Sequence, residues 1–362
     1  MGVEEEYILV DRRTRTPAGR APQVLVAARL DLGPQAQAEF FTAQVEVCTK
    51  PTASTTDLRA ELVRLRSVMA AAADDAGCLL IASGTPPLPS PDPLTVTAGR
   101  RYAEMASRHA QLMLRHAQVV CGCHIHIGVT SRAQALELAN RMRPWLPALQ
   151  ALAANSPFAD GRDTGYASWR SVEHARWPTV GPAPVLDEVA YERLVSGLIS
   201  DGTLLDRAMV YWYARPSEHV PTLEIRVADV NADLDTVVLL AALVRGLASV
   251  LLAEIADGRP PPAAAAGDRL REAHYLAALH GLEGPGLDPD TGTLISPWRR
   301  IEDALERAAP GLYGAGDMAF AEAALTRLRA EGAGAAHQRA VRDRCGRLQA
   351  VVDDLAFATR QS

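Results

Sequence analysis

The sequence of 362 residues has few of the features of a secreted or nucleic-acid-binding protein. Its five cysteines are an odd number for so long a chain, so they do not indicate a disulfide framework. Lys and Arg number 37 against 43 Asp and Glu, and the resulting net charge of -6 argues against a nucleic-acid surface. We therefore expect no nucleic-acid partner, and any phosphate group must be bound by a local site.

The sequence also lacks a recognisable signal peptide or membrane span. Three glutamates, residues 4–6, stand where a signal peptide would have basic residues. The longest apolar run, residues 236–256, is interrupted by Arg245 and Glu254, and a membrane span of roughly 20 residues would rarely tolerate such charges. The sequence therefore predicts a reduced, cytoplasmic protein with no membrane partner.

The first half of the chain mixes short strand-like runs with helical patterns. Strands are predicted by alternation or β-branched content at 7–10, 44–49, 78–83, 121–129 and 222–229. Helical spacing is present at 55–76, at 131–154, where Pro144 and Pro147 should interrupt it, and at 234–257. Strands followed by a mostly helical C-terminal third predict an α+β architecture with antiparallel pairing.

Two segments without a clear period separate these patterns. Residues 155–184 are rich in Gly, Pro, Arg and aromatic residues, and an irregular segment of that length is more often functional than idle. Residues 259–267 form a connector rich in Pro and Ala. We interpret residues 1–362 as a single domain with a mostly helical lobe from about residue 263.

Four predicted strands have polar or ionisable side chains on one face, because alternate residues of a strand share a face. These faces would present Glu4 with Glu6, Gln44 with Glu46, His124 with His126, and Glu224 with Arg226. A water-facing side of an amphipathic sheet explains any single strand. Taken together, however, crowded carboxylates would raise one another's pKa unless divalent cations were bound. Glutamate oxygens with one imidazole suit Mg²⁺ or Mn²⁺, and an arginine suits phosphate.

The run from Cys121 to His126 also contains the residue types of a zinc site. On an ideal strand, however, Cys123 faces away from His124, so the four side chains cannot easily converge. Packing in the core is the simpler interpretation of both cysteines.

Several motifs together resemble those of the glutamate–cysteine ligase type 2 family, also called the carboxylate–amine ligase family. They are GVEEEYILVD at 2–11, CGCHIHIG at 121–128, NSPFADGRDTGYASWR at 155–170, PTLEIRVAD at 221–229, GAAHQR at 334–339 and VVDDL at 351–355. The resemblance covers almost the whole chain. It implies an antiparallel, half-barrel-like sheet of the glutamine synthetase type with flanking helices, whose concave face binds ATP and Mg²⁺.

The resemblance also implies roles for individual residues. The implied metal ligands are Glu4, Glu6, Glu39, Glu46, His124 and Glu224. Arg226 resembles the arginine that contacts ATP phosphates, and Arg162 is implied to bind the substrate carboxylate or the transferred phosphoryl group. Tyr166 and Arg170 are further candidates for substrate or ATP binding, although loop packing and an ordinary ion pair would explain them too. Glu5, on the opposite face of its strand, is expected to be dispensable.

The expected reaction joins a carboxylate, that of glutamate, to an amine such as cysteine after ATP has converted the carboxylate to an acyl phosphate. The sequence fits such chemistry in that it has no G-x-S-x-G motif, no P-loop and no credible Cys–His pair. Two alternatives stay open: an ATP-independent metal-dependent hydrolase using His124 and His126, and a non-catalytic nucleotide-binding relative. The expected partners are the small-molecule substrates, with a homodimer as a family expectation.

Overall fold

The computed structural model describes residues 1–112, 119–261 and 265–361. Its strands are β1 (Gly2–Asp11), β2 (Ala36–Ala38), β3 (Gln44–Cys48), β4 (Cys78–Ile81), β5 (Gly122–Gly128), β6 (Phe158–Ala159), β7 (Arg162–Asp163), β8 (Ala214–Pro216), β9 (Thr222–Asp229), β10 (Gly286–Leu287) and β11 (Leu294–Ile295). The predicted strands are thus present, with β4 ending two residues before the predicted boundary.

The α-helices of the described ranges are α1 (Ala21–Leu32), α2 (Thr55–Asp75), α3 (Arg100–Arg108), α4 (Arg132–Met142), α5 (Leu146–Ala153), α6 (Trp169–His174), α7 (Glu188–Ser200), α8 (Leu234–Ala256), α9 (Gly267–His280), α10 (Pro297–Ala315), α11 (Met318–Glu331), α12 (Gly334–Cys345) and α13 (Leu348–Gln361). A 3₁₀ turn at Arg143–Trp145 separates α4 from α5, which confirms the predicted interruption, because proline cannot continue the α-helical hydrogen bonds.

The main sheet has the order β2-β3-β1-β5-β9-β8, and β4 pairs with the far end of β1. Every pairing is antiparallel, and the α+β class with antiparallel pairing is confirmed. The central strand β1 lies between β3 and β5, where Glu6 is opposite Glu46 and Glu4 is opposite both Cys48 and His124. This register brings distant acidic residues together on one face.

The other face of the sheet is covered by helices. Residues such as Ile125 and Ile225 pack with Leu62 of α2 and Leu239 of α8 in one apolar cluster. Helix α8 is long and apolar enough to cross a membrane by length and composition alone, but 72% of its most apolar window is buried inside this structure. Its burial is that of a core helix.

Glu5 lies on this covered face and is fully buried with Arg66. Arg66 donates to both carboxylate oxygens of Glu5, at 2.5 and 3.0 Å, and the Tyr7 hydroxyl donates to one of them at 2.5 Å. A buried carboxylate is tolerated only when it is paired and hydrogen-bonded in this way. Glu5 therefore faces away from the polar side of the sheet, as strand alternation predicts, but it serves the core, where it joins β1 to α2.

The irregular segment 155–184 is more ordered than predicted. It contains the β6–β7 hairpin and the short helix α6. The C-terminal helices are not apart from the rest, since α10 packs along α8 and α13 packs against β4. The single-domain interpretation stays a prediction.

Candidate active site

The polar face of the sheet lines a cavity of about 890 Å³. Ionisable side chains dominate the part of its wall that the sheet provides. They include Glu4, Glu6, Glu39, Glu46, Cys48, His124, His126, Glu224 and Arg226, together with Arg170 and His174 from α6 and Arg215 from β8. All six predicted metal ligands thus lie around one cavity, as strand alternation indicated for most of them.

Three groups of these side chains bring three ligand atoms within 4.8 Å of one another, and two of the groups consist only of predicted metal ligands. One consists of the carboxylates of Glu6, Glu39 and Glu46, and the other of Glu4, His124 and Glu224. Glu39 follows β2 directly and belongs to no predicted strand, so only the motif resemblance indicated it.

The pKa values of the first group indicate that the protein compensates its charges only in part. Burial and the nearby Glu39 raise the pKa of Glu6 to about 8. Burial, followed by Glu39 and Glu4, raises the pKa of Glu46 well above its ordinary value. Such a cluster takes up protons or binds cations. Its donor set is all carboxylate oxygen, which fits Mg²⁺ or Mn²⁺.

In the second group, neighbouring histidine and arginine side chains stabilise the carboxylates instead. Although burial raises the pKa of Glu4, hydrogen bonds from His124 and His126 outweigh this effect and lower it. His124 Nδ1 lies 3.3 Å from Glu4 Oε2 and 3.6 Å from Glu224 Oε1. Burial and then Arg226 lower the pKa of His124 to about 4, so its ring is neutral near pH 7 and able to bind a metal. His124 Nε2 is buried and has no hydrogen-bond partner.

Arg226 and Arg215 flank Glu224 on the other side. Burial favours the neutral carboxyl, but these two guanidinium groups lower the pKa of Glu224 below its ordinary value. Arg226 contacts Glu224 Oε1, and its Nη1 lies 3.4 Å from His124 Nδ1. The register of β5 against β9 shifts between Cys123 and Ile125, where β9 contains one residue more than β5. Such a bulge changes the direction of the neighbouring side chains, here next to Arg226.

Arg170 enters the cavity from α6 and is 3% exposed. It lies over the backbone of β5, and a Cβ added at Gly122 would be only 2.3 Å from Arg170 Nη2. Asp229 fixes this part of the chain, because its carboxylate accepts hydrogen bonds from Ser156 Oγ at 2.7 Å and Ser168 Oγ at 2.8 Å. Arg170 Nη1 is 3.8 Å from the same carboxylate. Arg170, the predicted ligand-binding residue, thus lines the cavity and also forms an ion pair with Asp229.

Arg162 and Tyr166 do not line this cavity. Arg162 is exposed on β7, next to Asp163, which is paired with Arg339 at 2.8 Å. The Tyr166 ring packs against Trp169, with the ring centroids 5.4 Å apart. The structure gives no support to their placement at the site, and their roles stay predictions.

Several cavity residues were not singled out as site residues from the sequence. His174, Tyr211 and Arg215 come from a short helix, a loop and a three-residue strand, none of which has a period long enough to show a face. The Trp177 ring packs against Phe40, with the ring centroids 5.8 Å apart, and it also lines the cavity. The Cys121 and Cys123 thiols belong to no group of three metal-ligating atoms among the described residues.

Comparison with known proteins shows which family the chain belongs to. The family model described as glutamate–cysteine ligase family 2 matches residues 1–354. The chain belongs to this family. It is 41% identical over 362 residues to a protein from Salinispora arenicola with the provisional name glutamate–cysteine ligase 2, an alignment that covers 99% of this chain and 95% of that protein.

Two solved structures show that the fold of the family is shared at low sequence identity. The glutamate–cysteine ligase from Francisella tularensis, solved in complex with AMP, aligns with a TM-score of 0.73 at 13% identity, covering 100% of this chain and 89% of that one. A bifunctional glutathione synthetase from Pasteurella multocida aligns with a TM-score of 0.70 at 16% identity, covering 99% of this chain and 52% of that one. This chain therefore shares the fold of these two proteins.

Proposed function

We propose that this protein is an ATP-dependent carboxylate–amine ligase that works in the 890 Å³ cavity. The observation that carries the proposal is the cluster of three carboxylates, Glu6, Glu39 and Glu46, beside the buried cation Arg226. Such a site can accept the polyphosphate of a nucleotide together with its cations. The AMP bound to the Francisella tularensis ligase supports a nucleotide as one ligand.

The proposed reaction has two steps. The substrate carboxylate attacks the γ-phosphorus of ATP, which forms an acyl phosphate and releases ADP. The amine then attacks the acyl carbon, and an amide, inorganic phosphate and a proton are released. Neither step needs a covalent bond to the protein, so catalysis can come from positioning and from charge stabilisation.

The residues present would then divide the work by charge. Mg²⁺ bound by Glu6, Glu39 and Glu46, and by Glu4, His124 and Glu224, would neutralise phosphate oxygens during transfer. Arg226 is buried and already fixed by Glu224, so it presents a preorganised positive charge to the cavity. Arg170, fixed over Gly122, provides a second such charge on the same side. Walls formed by Trp177 and other rings exclude water from the acyl phosphate.

The substrates are the finer part of the proposal. The provisional name of the Salinispora arenicola relative supports glutamate as the carboxylate and cysteine as the amine. The cavity of about 890 Å³ has room for a ligand the size of a nucleotide, since pockets for drug-sized ligands are about 300–1,000 Å³. Another amino compound in place of cysteine would use the same activated carboxylate.

The test is an amine screen of the purified protein with ATP, Mg²⁺ and glutamate. We expect ADP release that requires all of these components together with an amine, and an amide product that mass spectrometry identifies. Glu46→Gln should eliminate product formation, whereas Glu322→Gln, an exposed glutamate of α11, serves as the matched control and should not.

Two results would contradict the proposal. Hydrolysis of an ester or amide without ATP would indicate a metal-dependent hydrolase. Tight ATP binding with no ADP formed across the whole screen would indicate a nucleotide-binding protein without ligase activity.

A further inference from the structure

We propose that Cys48, together with Glu4 and Glu46, forms a second kind of metal site, one that binds a thiophilic divalent cation such as Zn²⁺ or Cd²⁺ at the edge of the cavity. The sulfur of Cys48 and one carboxylate oxygen from each of the two glutamates lie within 4.8 Å of one another. The inference does not depend on which reaction the cavity carries out.

The position of Cys48 follows from the register of the sheet. Cys48 and His124 are the residues opposite Glu4 on its two sides, so the three form one row across β3, β1 and β5. Cys48 is partly exposed and lines the cavity. Its Sγ donates a hydrogen bond to Glu46 Oε1 at 3.3 Å. The thiol thus points at the carboxylates and away from the core.

A fourth metal-ligating group lies beside these three. His126, which is 8% exposed, directs its Nε2 at Glu4 Oε1 at a distance of 3.1 Å. This imidazole would either join a cation bound by Glu4 or orient the ligating carboxylate.

The donor types separate this site from the all-oxygen group of Glu6, Glu39 and Glu46. A thiolate with carboxylates and a nearby imidazole suits Zn²⁺, Cd²⁺ or Co²⁺, whereas Mg²⁺ has little affinity for sulfur. Binding replaces the thiol proton: the S–H bond breaks, the metal–sulfur bond forms, and the proton passes to the buffer. Since Glu4 and Glu46 would be shared with the predicted Mg²⁺ set, the two kinds of cation should compete.

The first test uses Co²⁺ as the probe, because a cobalt–thiolate bond gives a charge-transfer band in the near ultraviolet. We expect the band when Co²⁺ is added to the metal-free wild-type protein. We also expect it in Cys345→Ser, which removes an exposed thiol of α12. Cys48→Ser should lack the band. A band that persists in Cys48→Ser, or that is absent from the wild type, would overturn the proposal. This measurement does not require ligase activity.

The second test needs no variant, so it stands even if Cys48→Ser folds poorly. Zn²⁺ should protect Cys48 of the wild-type protein from alkylation, read by mass spectrometry of the peptide, and Mg²⁺ at the same concentration should not. Equal alkylation of Cys48 with and without Zn²⁺ would refute the site. For the ligase reaction, we expect Cys48→Ser to need at least about tenfold more Cd²⁺ for half-inhibition, relative to its own uninhibited rate.

Discussion

At the scale of single residues, glutamates of the same sheet and cavity differ in what surrounds them. Glu46 faces other carboxylates and has a raised pKa, caused by burial and by Glu39. Glu224 lies between Arg215 and Arg226 and has a lowered pKa in spite of its burial. Removal of the two charges should therefore have opposite effects on the stability of the metal-free protein.

We predict that Glu46→Gln raises the free energy of unfolding of the metal-free protein at neutral pH by about 1–3 kcal/mol. The reason is that each unit by which folding raises the pKa of a carboxyl costs the folded state about 1.4 kcal/mol. Glu224→Gln should lower the same quantity, because it leaves Arg226 buried without its partner. Urea unfolding in the presence of a chelator measures both. Destabilisation by both variants to the same extent would contradict the assignment.

Glu46→Gln should also impair the metal-dependent reaction. If Glu46 is a ligand, Glu46→Gln should reduce kcat/KM by at least about 100-fold, since even residues beyond the ligands change metal affinity by 10–100-fold. The control is again Glu322→Gln, whose side chain is exposed. A Glu46→Gln variant with normal activity and an unchanged Mg²⁺ requirement would exclude Glu46 from the metal site.

Glu5 gives a prediction of a different kind, because it serves the core. Glu5→Gln should lower the free energy of unfolding by about 3–5 kcal/mol, the usual cost of leaving one member of a buried ion pair alone. The double variant Glu5→Gln with Arg66→Met should recover part of this loss, because no buried charge is then left unpaired. Thermal and urea unfolding of the set provide the measurement. A Glu5→Gln protein as stable as the wild type would contradict this role.

The positions of some of these side chains can be predicted from the sequence, and those of others cannot. Alternation within β1, β3, β5 and β9 is enough to place Glu4, Glu46 and Glu224 on one face, because a strand's period is fixed at two. It also separated Glu5 from its neighbours, but the partner of Glu5, Arg66, lies 61 residues away on α2. No local pattern specifies such a pairing. Arg215 was missed for a similar reason: β8 has only three residues.

At the scale of elements, the segment 155–184 shows what local patterns leave undetermined. Its short pieces, β6, β7 and α6, acquire their order from Asp229 at the end of β9, which accepts hydrogen bonds from Ser156 and Ser168. Long periodic elements such as α2 and α8 were predicted to within a residue or two, because many apolar positions repeat in them. The order of segment 155–184 comes from tertiary hydrogen bonds instead.

The contact between β5 and α6 leads to a prediction about this segment. Gly122→Ala places a methyl group where Arg170 now lies, 2.3 Å from Nη2, so the guanidinium must move. We expect a loss of about 10²-fold in kcat/KM, the effect of a misplacement of about 1 Å at a reacting group, with little change in unfolding. Gly197→Ala in α7, where an added Cβ meets nothing within 4 Å, is the matched control. Unchanged activity of Gly122→Ala would show that Arg170 takes no part.

At the scale of the whole molecule, the fold concentrates negative charge in one cavity, although the protein as a whole carries only a modest net charge of -6. The apolar residues of α2 and α8 occupy one side of the sheet and leave the other to ionisable groups. Part of the folding free energy is therefore used to bring carboxylates together against their repulsion. Stability of the metal-free protein should depend on pH for this reason.

Between pH 8 and 6.5, the free energy of unfolding of the metal-free protein should rise as the pH falls. In this window Glu6, whose pKa is raised to about 8, takes up a proton in the folded state, while the unfolded chain stays ionised there. Glu46 has a pKa raised well above the ordinary value and acts in the same direction. Each such proton contributes about 1.4 kcal/mol per pH unit.

The histidines set the lower limit of that window. Burial and Arg226 lower the pKa of His124 to about 4, and burial and Arg143 lower that of His274 to about 3, so both stay neutral in the folded state. Below pH 6.5 the unfolded chain takes up protons on these rings, which offsets the gain from the carboxylates. Saturating Mg²⁺ should remove the slope between pH 8 and 6.5, because the cation replaces the protons among the carboxylates. Urea unfolding across this range, with chelator and with Mg²⁺, tests the claim: equal slopes in both would mean that the carboxylate cluster does not bind the cation.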